Sequence, residues 1–107
     1  MGRWAEERKD DPRHPRWEQQ RRDRGFDDPH IWGLDHTIAE RIYPRLRALA
    51  AHHCGRPPTL TSEEWTAIVH KMADGFEEYA TKQLKADWDK VNEGRDLFHE
   101  WYYYLWT

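Results

Sequence analysis

Cysteine is almost missing from this chain: Cys54 is the only one in 107 residues, which excludes an internal disulfide framework and suits a reducing compartment. No apolar run approaches the roughly 18 residues that cross a bilayer, and the opening residues 1–10 lack the apolar core of a secretory signal. A surplus of charge of one sign is missing too. Seventeen basic and 20 acidic residues give a formal charge of -3 and a pI near 6.1, so no global field holds the chain on DNA or an anionic membrane. There is no Gly-rich phosphate loop, no Ser-His-acid set and no His-Glu-x-x-His motif. These absences predict a soluble intracellular protein with no membrane partner, no cofactor and no evident catalytic machinery. Any nucleic-acid contact would be local.

Aromatic side chains stand out instead: seven Trp, five Tyr and three Phe in a chain that is 37% hydrophobic and 35% charged. Each buries a large area, so a modest aromatic-rich core is expected, of a size for one domain. Residues 1–25 differ from the rest. They carry eight basic residues against six acidic ones, Pro12 and Pro15 interrupt a helix there, and Trp4 and Trp17 are the only anchors to a core. The stretch reads as an Arg-rich polyampholyte arm, solvated and flexible alone. A sharper reading makes Arg13, Arg16, Trp17, Arg21, Arg22 and Arg24 a guanidinium and aromatic surface for phosphates, including nucleic acid, or for an acidic partner.

From residue 26 to 107 the pattern is that of an all-α domain with three main helices in a small bundle. Asp28 before Pro29 is a start signal for a short turn that Gly33 breaks. Leu34, Ile38, Ile42, Leu46, Leu49 and His53 then recur at steps of three and four, predicting a first main helix over 34–53. Pro44 lies inside it and predicts a kink at 40–44, because an interior proline removes a backbone hydrogen bond and crowds the preceding turn. Gly55, Pro57 and Pro58 end the helix. Thr61 with Glu64 is a capping box ahead of Trp65, Ile68, Val69, Met72, Phe76 and Tyr79, predicting a second helix over 62–81 in which Gly75 suggests close approach of another helix. Trp88, Val91, Phe98, Trp101 and Leu105, widened by Leu97 and Tyr104, form a third stripe. No Gly or Pro marks the junction at 82–87, yet a compact monomer needs a turn there.

G-F-D-D-P-H-I-W-G-L-D-H-T-I-A at 25–39, Y-P-R-L at 43–46, L-T-S-E-E-W-T-A-I-V-H-K-M at 60–72 and G-R-D-L-F-H-E-W-Y-Y-Y-L-W at 94–106 occur in one order. This set resembles a family of small uncharacterised proteins encoded by tailed bacteriophages and prophages, over roughly residues 25–107. The resemblance implies a phage accessory protein in the host cell cytoplasm and supplies no known activity.

The chemical constellations are few. His52, His53 and Cys54, with His70 and His99, suggest a soft metal site, but adjacent residues on a helix point apart, and a helix-end cluster at the negative end of the dipole explains them as well; no metal is expected. Asp74 with Glu77 and Glu93 with Asp96 are carboxylate pairs three apart. They resemble the pattern of all-helical, metal-dependent nucleotide pyrophosphohydrolases, although solvated helix faces account for them and Asp74 departs from that family's Glu-x-x-Glu. Binding remains. Arg41, Arg45, Arg47 and His36 lie on or beside the first main helix, and Trp17, Tyr102, Tyr103 and Trp106 supply aromatic faces beyond what one stripe buries. Arginine and aromatic groups together hold a phosphate and stack a base. The bland alternative is that the arginines are solvated and Arg45 packs beside the kink. The leading expectation is a non-enzymatic phage protein, a homo-oligomer because of its aromatic surplus, that counters host defence by sequestering a nucleotide-type immune signal. The alternatives are the pyrophosphohydrolase and an inhibitor or adaptor that docks its aromatic C-terminus on a host defence protein.

Overall fold

The computed structural model of the chain describes residues 11–53 and 55–106, all helix, turn or loop. The order is α1 (His14–Arg24), α2 (Asp28–Trp32), α3 (Leu34–His52), α4 (Ser62–Lys82) and α5 (Trp88–Trp101), with 3-10 turns at Gln83–Lys85 and Tyr102–Tyr104. The all-α class is as expected. Among the described residues there are five α-helices, of which α3, α4 and α5 lie where the three main stripes are predicted. The chain forms two compact units, one ending at Ile38 and one beginning at Ala39.

In the first unit the described part of the arm is a helix. Pro15 does not interrupt α1, because it lies in the first turn, where the N–H it lacks has no intrahelical acceptor. Gly25 ends the helix in the left-handed region at φ 83° and returns its N–H to the Arg21 carbonyl. Trp17 is fully buried and meets Trp32 edge to face at 5.7 Å. The cap of α2 is Asp27 rather than Asp28: it accepts from the His30 N–H at 3.1 Å, while the Asp27 N–H reaches the His30 ring at 3.4 Å. Burial of Asp27 is complete, and Arg21 pairs with it. Asp28 instead accepts from Gln20 at 3.1 Å and Arg24 at 3.0 Å, which hold its carboxyl below its ordinary pKa, Gln20 foremost.

The second unit is built on α4, which has the cleanest start in the chain. Thr61 accepts from the Glu64 N–H and Glu64 accepts from the Thr61 N–H, as the capping box predicts. Trp65, Val69, Met72 and Ala73 are fully buried on one face of α4, against Leu46 and Ala50 of α3. Leu97, Phe98, Trp101 and Leu105 pack on the same cluster from α5 and the tail beyond it. The predicted α3 stripe reaches this core only from Ile42 onward; Leu34 and Ile38 are about half exposed. Helix α3 continues through Pro44.

The turn between α4 and α5 exists although no glycine or proline announces it. Gln83 takes positive φ (47°), and Asp87 caps α5 by accepting from the N–H groups of Asp89 and Lys90. Buried Glu78 secures the turn: it accepts from the Asp87 N–H at 2.9 Å and pairs with Lys82 at 3.2 Å. These contacts, the Asp87 N–H first, lower the pKa of Glu78. A carboxyl with a lowered native pKa stabilises the fold above its ordinary titration range and loses that contribution as pH falls through the native value. Glu78→Gln is therefore expected to flatten the acid side of the stability curve, read as denaturation midpoints from pH 7 down to pH 3.

Candidate functional site

Among the clefts that the described residues form are two on the second unit. The larger, about 470 Å³, has walls of Ile42, Leu46 and Leu49 from α3 and Phe98, Tyr102 and Leu105 from the C-terminal end. Each wall repeats the same steps of four and three, so side chains on successive turns share one face. Leu46 is buried, Ile42, Leu49, Phe98 and Leu105 are half-buried, and Tyr102 is exposed at the rim. Arg45 is the one charged side chain lining this groove. Its Nη1 donates to the Arg41 carbonyl at 2.7 Å, and among the described residues it has no carboxylate within ion-pair distance.

The predicted ligand-binding residues are thus only partly brought together. Arg45 and Tyr102 line one groove, and Tyr103 stands next to it, 88% exposed, its ring 5.5 Å from that of Tyr102. Trp106 is 61% exposed but lies on the loop backbone, where a Cβ added at Gly55 would meet its ring at 3.0 Å. Trp17 and His36 belong to the first unit, and Trp17 is core rather than surface. Arg41 is half-buried. Arg47 is already engaged: its Nη2 donates to Asp74 and to Glu77, at 2.7 Å each, and its Nη1 lies 3.0 Å from His70 Nδ1. The bonds to Glu77 and then Asp74 raise its pKa.

That pairing also involves the first of the two carboxylate pairs. Asp74 and Glu77 line the second cleft, about 250 Å³, with Arg47, Lys82 and Lys90, so cations compensate the acids there. Glu93 and Asp96 are exposed, Asp96 beside Arg95 at 3.2 Å. Among the described residues no three His, Asp or Glu side chains come close enough to hold a metal. Of the histidines, His53 bonds Thr66 at 2.8 Å and His70 meets Arg47. Cys54 lies outside the described residues. Because Arg47, Asp74 and Glu77 are each more than a third exposed, the Arg47–Glu77 coupling in a double-mutant cycle (Arg47→Met, Glu77→Gln) is expected to be about 0.2–1 kcal/mol.

Three of the five arginines in the sharper reading of the arm are paired with acids as well. Arg13 lies over the Trp17 and Trp32 rings at 5.0 and 5.2 Å and pairs with Asp11, Arg21 pairs with Asp27, and Arg24 with Asp28. Residues 1–10 lie outside the described residues.

Ile42, Leu46, Leu49, Phe98 and Leu105 read as core in the sequence, whereas they also wall the groove. Their spacing is legible; that two such stripes leave space between them is decided by packing. None of the described helices is long and apolar enough to cross a membrane. No protein-family model, curated protein or solved structure matches the chain, so the phage resemblance rests on the motifs at 25–39, 43–46, 60–72 and 94–106 alone.

Proposed function

We propose that this chain acts by binding rather than by catalysis, through the groove between α3 and the C-terminal end, and that its ligand is a protein. The observation that carries the reading is the groove itself, two apolar walls with Arg45 as their one cation, continuous with an exposed aromatic end. Tyr102, Tyr103 and Tyr104 are 54, 88 and 38% exposed, and such side chains dominate protein interfaces. The bundle of three main helices with a bend at Pro44, one residue before Arg45, is part of this reading, since a bend there would splay one groove wall. In the setting that the motif resemblance implies, the protein is a phage accessory factor in the host cytoplasm, an inhibitor or adaptor directed at a host defence protein.

The test is site-specific photo-crosslinking in bacterial cells producing the protein. A benzophenone side chain at Tyr103 is expected to give a discrete protein adduct, and one at Leu84, which is 92% exposed elsewhere on the unit, none. The same adducts at both positions, or none at Tyr103, would sink the reading.

A nucleotide-type signal is the second reading, and Arg45 facing Tyr102 across one groove favours it. It is second because Arg47, the other cation nearest in sequence, is held by Asp74 and Glu77. Calorimetry with cyclic and linear nucleotides that shows no heat eliminates it.

A further inference from the structure

The groove also specifies what its partner looks like. Ile42 and Leu49, with Leu46 between them, lie seven steps apart along the helix, about 10 Å or two turns, and Phe98, Tyr102 and Leu105 repeat the same interval on the opposite wall. Both walls are helical, apart from the tail at Leu105, so most of their backbone N–H and C=O groups are committed within their own elements, the carbonyl that Pro44 leaves without a donor and the last carbonyls of the C-terminal wall excepted. An extended peptide laid between them would find no strand edge to pair with. A helix satisfies its own backbone and needs only apolar side chains on one face, which is what two facing stripes offer. The remaining feature is Arg45. Among the described residues its one hydrogen bond, from Nη1 to the Arg41 carbonyl, leaves most of its N–H donors to solvent, and no acid among those residues lines the groove to meet these donors. A bound apolar face without a carboxylate would desolvate that guanidinium with nothing in return.

We infer that the groove takes an amphipathic helix of about two to three turns, with apolar side chains at i, i+3 or i+4, and i+7, and an Asp or Glu beside them that pairs with Arg45. This rests on the binding reading above and names the partner's chemistry.

The test is a selection from a displayed library of helical peptides, randomised on one face, against the full chain and against Arg45→Glu. Lys85→Glu makes the same charge change at an exposed residue that does not line the groove. Peptides enriched on the wild type are expected to carry the apolar spacing with an acid. They should bind Arg45→Glu about tenfold or more weakly and Lys85→Glu unchanged. Arg45 is exposed, so the variant should keep the wild-type melting temperature, checked by circular dichroism. Enriched peptides that lack an acid, or that bind Arg45→Glu equally well, overturn the inference. So does the finding that the protein is a dimer which Leu49→Asp converts to a folded monomer, because a second copy would then fill the groove. If Tyr103 crosslinks a partner while the library shows no acid dependence, the binding reading stands and the helix-and-carboxylate inference alone falls.

Discussion

Gly94→Ala is expected to destabilise the protein by about 1–3 kcal/mol, although alanine is the better helix former by about 1 kcal/mol. A Cβ at Gly94 would lie 2.8 Å from the Gly75 Cα, 2.9 Å from the Lys71 carbonyl oxygen and 3.0 Å from that of Met72. All three are backbone atoms of α4, so no side chain can swing aside; the helices must separate, and the buried contacts on either side loosen with them. Gly75→Ala meets the same wall from the other direction, 2.8 Å from the Gly94 Cα and 2.9 Å from the Lys90 oxygen. Thermal melts of both single variants check this, with a fall of several degrees expected for each. A rise in melting temperature for either would mean that helix propensity outweighs the contact and that the interface gives more than its distances allow.

Trp65→Ala is expected to cost more, about 3–5 kcal/mol, enough to unfold much of a domain of this size. Trp65 is fully buried in the core of the second unit and meets Trp101 edge to face at 6.2 Å, so its removal leaves a cavity between α4 and α5. Trp65→Phe separates shape from polarity. The indole Nε1 is buried with no acceptor among the described residues, so the smaller ring gives up volume but also removes an unmet donor. Urea unfolding should rank wild type above Trp65→Phe and Trp65→Phe well above Trp65→Ala. Equal losses for the two variants would place the energy in the indole edge rather than in ring packing.

The parts of this fold legible in the sequence are those decided locally. Thr61 and Glu64 announce α4 because both capping bonds lie within four residues, and the stripe from Trp65 to Phe76 announces its buried face. Gly75 hints at a close neighbour, but the neighbour itself, Gly94, is identified only by the pairing of two helices. Pro15 misleads because proline has opposite meanings in the first turn and the interior of a helix, and the sequence does not say where α1 begins. Leu34 and Ile38 mislead similarly: a stripe shows that a face is apolar, not how far the core extends along it. At the candidate site, Arg41, Arg45 and Arg47 look alike in sequence. They differ because Asp74 and Glu77 arrive from another helix to hold Arg47, while no acid among the described residues reaches Arg45. That some of the three consecutive tyrosines are exposed follows from helix geometry, since neighbours about 100° apart cannot share one buried face; that all three are exposed is decided by packing.

The turn at Gln83 carries a kinetic meaning. Helices α4 and α5 meet through a five-residue connection, so the search that brings Gly75 onto Gly94 is short and its loop-closure entropy small. A hairpin of this kind can assemble ahead of α3, whose docking closes the longer loop through Pro57 and Pro58. The groove, which needs α3 as one wall, would then be the last part of the second unit to take shape and the first to be lost when the protein begins to open.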